Sequence, residues 1–184
     1  MSADLPSGFV RRSEETLVAW RAWRLVRGVF ESPDGEDFER SYVRSPGAVG
    51  IVAVSGDDVA LVRQYRPSLD RVLWEIPAGM RDKEGEEAVD AARRELREEV
   101  GASGGEWRRL AHVVQAPGLT DAEMTIFLAS GVSRGAPTPE GPEERAMTVH
   151  WIPRVEALDM VARGEIVNST AVIGLLAALH ARWE

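Results

Sequence analysis

IPAGMRDKEGEEAVDAARRELREEVGA, residues 76–102, decides how the chain is read. Pro77 ends an apolar strand. Gly79 marks a place where the backbone approaches a neighbour closely or takes a positive φ. A helix is predicted over 86–100, with Ala88, Val89, Ala92, Leu96 and Val100 as its core stripe at three- and four-residue spacing. Gly101 stops it. Its remaining surface is charged: between Asp82 and Glu99 stand eight acids and four bases. Glu95 and Glu99 are i and i+4, and Glu98 lies three beyond Glu95, so one face gathers them with Cβ atoms about 5–6 Å apart. An acidic helix taken alone is most often a solvated face. Like charges at this spacing, however, destabilise a helix. A divalent cation reverses that sign, since hard cations take carboxylate and carbonyl oxygens.

Working outward, the elements come as runs of strands with one central and two terminal helices. Residues 1–9 form a polar tail. Residues 16–30 are aromatic and β-branched and are predicted as strands. A turn at Pro33-Asp34-Gly35 precedes a strand over 38–43. The apolar run 48–54, a turn at 56–58 and the run 59–65 make a hairpin, and 73–76 is a further short strand. Strands are predicted at 107–114, 124–128 and 149–152, separated by a loop at 116–121 and a Pro-rich loop at 133–145. Helices follow at 155–163 and 169–182, the second capped by Asn168-Ser169. The fold class is α+β, with sheet layers covered by helices.

Composition narrows the chemistry. The chain has 184 residues and 44% hydrophobic content, enough for one good core. Its net charge of −8 argues against nucleic-acid binding, while a divalent metal still allows anionic small ligands. There is no cysteine, and His112, His150 and His180 are scattered, so zinc is not expected. The longest apolar run, 171–179, is well short of the roughly 20 residues of a membrane span. Arg11-Arg12 leads into Ser13-Glu14-Glu15 rather than an apolar export core. A cytoplasmic protein with no membrane association is expected.

Gly79, Glu86 and Arg94-Glu95-Leu96-Arg97-Glu98-Glu99-Val100-Gly101-Ala102 together resemble the Nudix box of Nudix hydrolases. The family pattern has five residues between its first Gly and first Glu and seven more before Arg-Glu. This chain has six and seven, so the extra residue falls in the loop. The flanking Val62-Arg63-Gln64-Tyr65-Arg66 and Leu73-Trp74-Glu75-Ile76-Pro77-Ala78-Gly79 resemble the ADP-ribose pyrophosphatase subgroup. So does Gly164-Glu165-Ile166-Val167-Asn168-Ser169. Pro117, 16 residues after Gly101, stands where that subgroup carries a proline linked to ADP-ribose preference; alone it reads as a turn former.

The resemblance implies a Nudix-like α/β/α sandwich with mixed and antiparallel sheets, its N-terminal strands used in dimerisation. It implies a segment 1–45 that forms a homodimer and a hydrolase domain over 46–184. The reaction implied is Mg²⁺- or Mn²⁺-dependent hydrolysis of a nucleoside diphosphate sugar, ADP-ribose, with two or more ions. Another nucleotide sugar or a dinucleotide such as NADH or FAD is the alternative, and a non-catalytic ADP-ribose-binding module a more distant one. Glu95, Glu98, Glu99 and the Ala78 carbonyl would hold metal. Glu86 and Arg94 would pair to hold the loop on the helix, although Asp90 is also placed to reach Arg94. Glu98 and Glu144 would be catalytic, with Glu140 and Glu143 as other candidates for activating water. Arg66, Glu75, Gly79 and Pro117 would contact substrate. Strand alternation is expected to turn Trp74 toward the core and Glu75 toward the base or ribose, with a surface ion pair as the other reading of Arg66 and Glu75.

Overall fold

Three strands with apolar side chains on both faces set the architecture. In β4 (Ala48–Ser55), β5 (Asp58–Arg66) and β9 (Glu123–Ser130), alternate residues enter two different cores. Val52, Val54, Val59, Leu61, Ile126 and Leu128 pack on one side with residues of α3 (Arg154–Ala162) and α4 (Ser169–His180). Val49, Ile51, Ala53, Ala60, Val62, Phe127 and Ala129 pack on the other with Ala91, Ala92, Leu96 and Val100 of the acidic helix. A strand buried on both faces reads as a continuous apolar run, as 48–54 does. The result is a helix–sheet–helix sandwich of mixed α+β class. This computed structural model describes residues 8–139 and 142–183, with only the backbone of residues 142 and 143. The part of the predicted tail before residue 8 lies outside the described residues.

The seven-stranded sheet runs β10-β5-β4-β9-β8, with β6 on β5 and β7 on β4. Here β6 is Arg71–Glu75, β7 Ala78–Met80, β8 Glu106–Val114 and β10 Thr148–Pro153. The β4–β9 pair is parallel, and β10–β5, β4–β5, β4–β7 and β5–β6 are antiparallel. The strand β7 falls where the sequence predicts loop. Ala78–Met80 pairs with 48–50, and Ile51 N–H donates to the Pro77 carbonyl at 2.8 Å, so the segment past Pro77 is fixed before the helix begins.

A second sheet is formed by β1 (Val10–Trp20), β2 (Trp23–Glu31) and β3 (Asp37–Arg44). The strand β1 starts six residues before the predicted one. Its alternation is masked because all of its residues are exposed. By contact density the chain divides into two compact units, one of residues 1–47 and 114–123, the other of 48–113 and 124–184. Among the described residues no helix is long and apolar enough to cross a membrane.

Candidate active site

The acidic helix begins at Ala88 as α1 (Ala88–Glu95) and does not finish as an α-helix. Leu96–Val100 is a π turn, closed by Gly101 at φ 72°. The sequence pattern does not reveal it, since a single widened turn leaves the apolar stripe nearly in place. Such turns recur at functional sites, where they re-aim side chains. Here Glu95 and Glu99 are both buried, at 9% and 5% exposure. Glu98 is half-buried, while Arg93 and Arg97 face out.

Burying a carboxylate disfavours its charged form. Glu99 is pushed up to about 8, first by burial and then by the charges of Glu95 and Glu144. One backbone bond opposes this: Ala78 N–H donates to Glu99 Oε2 at 3.0 Å. Glu95 is also raised, by burial above all, despite the neighbouring Arg94. Opposite these acids, glycine at position 79 leaves the space that the Glu95 carboxyl group fills; a Cβ there would overlap it and force it to move.

Arg94 holds the assembly together. Its Nε and Nη2 donate to the two Glu86 oxygens at 3.0 and 3.1 Å. Its Nη1 donates to Glu95 at 2.6 Å and Glu98 at 3.1 Å, and Nη2 reaches the Met80 carbonyl at 3.3 Å. The expected Glu86–Arg94 pair is thus present as a fork. Asp90 pairs with Arg93 at 2.9 Å instead of with Arg94, because the i+3 neighbour points to the same exposed side.

In β6 both side chains are covered, on opposite faces: Trp74 is half-buried and packs against the core on the α3 and α4 side, as expected, and Glu75 is 3% exposed. The carboxylate is tolerated inside because Arg66 Nε and Nη2 grip it at 2.8 and 2.7 Å. Trp74 stays partly out, edge-on to His150 at 4.9 Å and beneath the Arg63 guanidinium at 5.2 Å. The Arg66–Glu75 interaction is therefore an ion pair with its acid buried, and the Arg66 charge also partly offsets the upward shift of Glu99.

The Pro-rich loop carries a short helix, α2 (Pro142–Arg145), where the sequence predicts none. The loop is moored to the π turn, where Thr138 N–H donates to the Glu98 carbonyl at 2.9 Å. Glu144 is half-buried, and its charge reaches both Glu95 and Glu99. Glu140 lies outside the described residues. Pro117 belongs to the first unit. Its turn is closed by Leu119 and Thr120 N–H groups on the Ala116 carbonyl. With Phe30, Phe38, Arg40, Tyr42 and Gly118 it lines a cleft of about 340 Å³. Those aromatic residues alternate along predicted strands, and nothing in that pattern separates a cleft wall from a core.

The second unit thus brings together Arg66, Glu75, Ala78, Gly79, Glu86, Arg94, Glu95, Glu98, Glu99 and Glu144. The donor set is all oxygen and suits a hard divalent cation such as Mg²⁺ or Mn²⁺. Two of the acids sit where an added positive charge would relieve the cost of ionisation, and Gly79 leaves room for one of them. Among the described residues, no three acids already stand in metal-binding geometry; the Arg94 guanidinium bridges Glu95 and Glu98.

The NUDIX domain model matches residues 44–170, which include this loop, the widened helix and the paired arginine. The chain belongs to the NUDIX family and is a Nudix hydrolase. It is 43% identical over 171 residues to an ADP-ribose pyrophosphatase of Mycobacterium tuberculosis (strain ATCC 25618 / H37Rv), covering 92% of this chain and 82% of that protein. It is 33% identical over 140 residues to an ADP-ribose pyrophosphatase of Bacillus subtilis (strain 168), covering 76% and 75%. In fold it is similar to a crystal structure of an ADP compounds hydrolase, with a TM-score of 0.81 at 23% identity over 94% of this chain and 93% of that one. Nudix hydrolases as a family generally use divalent metal ions.

Proposed function

We propose that this protein hydrolyses the diphosphate bond of ADP-ribose, giving AMP and ribose 5-phosphate, with Mg²⁺ or Mn²⁺ as cofactor. The observation that carries the reading is Glu99, a buried carboxyl group beside Glu95 and Glu98, raised to about 8 and answered by a single backbone N–H. A buried carboxyl group crowded by other acids is a cost with no structural return. Beside a cation it becomes a ligand. The relatives' names supply the substrate class.

Glu95, Glu98, Glu99 and the Ala78 carbonyl would hold the metal, as two or more ions. Bound there, it would neutralise the diphosphate and would lower the pKa of a coordinated water. The chain's own residues do the rest. Arg94 and Glu86 keep the loop after Gly79 against the helix, so the carboxylates keep their spacing. Glu144, delivered by the Pro-rich loop, takes the proton from the attacking water as oxygen bonds to phosphorus and the bridging oxygen leaves with its electron pair. Arg66 offers cationic N–H groups to substrate while Glu75 fixes its direction. Gly79 would meet substrate through its backbone, the space at its Cα being filled by the Glu95 carboxyl group, and Pro117 remains the residue tied by resemblance to ADP-ribose preference.

Two copies would pair through the N-terminal segment 1–45, with 46–184 as the hydrolase domain. The support is β1: an eleven-residue strand exposed throughout, carrying Leu17, Val18 and Trp20 on an open edge. Light scattering that returns the monomer mass would overturn the pairing. A nucleotide substrate fits a cytoplasmic location.

A hydrolysis panel tests the activity. It compares ADP-ribose, GDP-mannose, NADH, FAD, diadenosine polyphosphates and 8-oxo-dGTP, each with Mg²⁺ and with Mn²⁺. ADP-ribose is expected to give the highest kcat/KM, with no turnover in chelator. Preference for a nucleoside triphosphate would overturn the substrate, and equal rates in chelator would overturn the metal.

A further inference from the structure

The outer face of the catalytic helix carries two arginines that the chemistry above does not use. Arg93 and Arg97 are i and i+4, both exposed, and like charges at that spacing destabilise a helix. Arg93 is partly compensated by Asp90 at 2.9 Å. Among the described residues Arg97 has no ion-pair or hydrogen-bond partner for its side chain.

Beside them is a preformed cleft of about 300 Å³, lined by Arg93, Arg97, Ser103, Gly104, Gly105 and Trp107. Its floor is rigid. Ser103 and Ser133 exchange both backbone hydrogen bonds, at 3.0 and 2.9 Å. Gly105 takes φ +76° and is packed so closely on Ser130 and Val132 that a Cβ would collide with them. Trp107 is locked by its Nε1–H donating to the Gly104 carbonyl at 3.0 Å, and its ring lies under the Arg93 guanidinium at 5.6 Å. Among the described residues no carboxylate lines the cleft, although Asp90 pairs with Arg93 and the chain as a whole carries a net charge of −8.

We propose that this cleft binds a phosphate monoester, held by the Arg97 and Arg93 guanidiniums and the Ser103 hydroxyl with Trp107 as its wall. Guanidinium forks match phosphate oxygens in pairs, and a site fixed before binding loses little entropy on filling. The cleft size suits a group between free phosphate and a nucleoside monophosphate. It lies on the opposite face of α1 and the π turn from Glu95 and Glu99, so it is separate from the catalytic acids. The inference does not depend on which diphosphate the enzyme cleaves.

The test is calorimetric titration of the whole chain, in chelator, with inorganic phosphate, ribose 5-phosphate and AMP. Wild type is expected to bind at least one of them saturably. Arg97→Glu should weaken that binding tenfold or more, and Arg97→Lys, which keeps the charge and loses the fork, should weaken it less. Arg109→Glu makes the same charge change at another exposed position and should leave binding unchanged. A tighter AMP isotherm would extend the ligand class to nucleotides, and equal isotherms would confine it to the phosphate group; both support the site. Absence of saturation in wild type would overturn it. So would unchanged binding in Arg97→Glu, or an equal loss in Arg109→Glu.

Discussion

The Glu95 carboxyl group occupies the space that a Cβ at position 79 would need. The glycine of β7 and the glutamate at the end of α1 are thus one feature, although they lie sixteen residues apart. Gly79→Ala is expected to expel Glu95 from its place. Such overpacking costs about 1–3 kcal/mol where the neighbour can shift. The urea midpoint should fall accordingly, and metal affinity, read by calorimetry, should fall more than stability does.

Glu99→Gln separates fold from function. Glutamine can still accept the Ala78 N–H bond made at 3.0 Å and carries no charge to bury. Thermal unfolding above pH 8 in chelator should therefore show a variant as stable as wild type or more so. Turnover should drop more than about a hundredfold, beyond the loss usual for residues that only orient a ligand. Activity near wild type would remove Glu99 from the metal set.

Arg66→Ala leaves the Glu75 carboxylate buried without its fork. Removing one partner of a buried bond costs about 1–3 kcal/mol. The lower part of that range is expected, because the Arg66 side chain is 38% exposed and water can replace some of it. Glu75→Gln should cost less. If both residues serve substrate, KM rises in each variant; a fall in stability with unchanged KM would leave the pair a structural one.

Much of this arrangement is legible in the sequence, for definable reasons. The apolar runs of β4, β5 and β9 mark strands covered on both faces, because a strand with a solvated face would alternate apolar with polar residues. The fixed charges of the box place Glu86 and Arg94 opposite each other, and the structure pairs them. The π turn is hidden because one widened turn displaces the apolar stripe by less than a residue. The depth of Glu75 is hidden for another reason: alternation puts Trp74 and Glu75 on opposite faces, Trp74 on a core, but only the Arg66 fork explains why a carboxylate can be buried on the other. The short α2 is masked by the prolines around it.

Glu144 raises both Glu95 and Glu99 through its charge. Glu144→Gln should therefore lower the pH at which those acids ionise, which carboxyl NMR shifts can follow in chelator. The same variant tests catalysis. If Glu144 takes the proton from water, kcat falls about 10²–10⁴-fold with KM little changed. A near-normal kcat would pass the role to Glu140, Glu143 or a metal-bound hydroxide, while the ionisation shift would persist.

Acid and alkaline limits of stability should have different owners in the metal-free protein. Glu99 stands near 8 in the folded chain against an ordinary 4.5. Between those values the folded state holds more protons than the unfolded one, so stability must fall as pH rises through that window. Glu95 adds to the fall, being raised as well. Glu14 and Glu86 run the other way: hydrogen bonds from Arg44 and Arg94, respectively, hold them below 4.5. Their contribution is complete above 4.5 and is lost as pH falls through their folded values. Urea midpoints in chelator should thus decline from about pH 5 toward pH 8, and decline again below pH 4.5. Saturating Mg²⁺ should flatten the alkaline limb alone, since it offsets the charge of Glu95 and Glu99 and leaves Glu14 untouched. An alkaline limb that is flat in chelator would mean that Glu99 is ionised at neutral pH without a cation, and that its burial is not what the ion relieves.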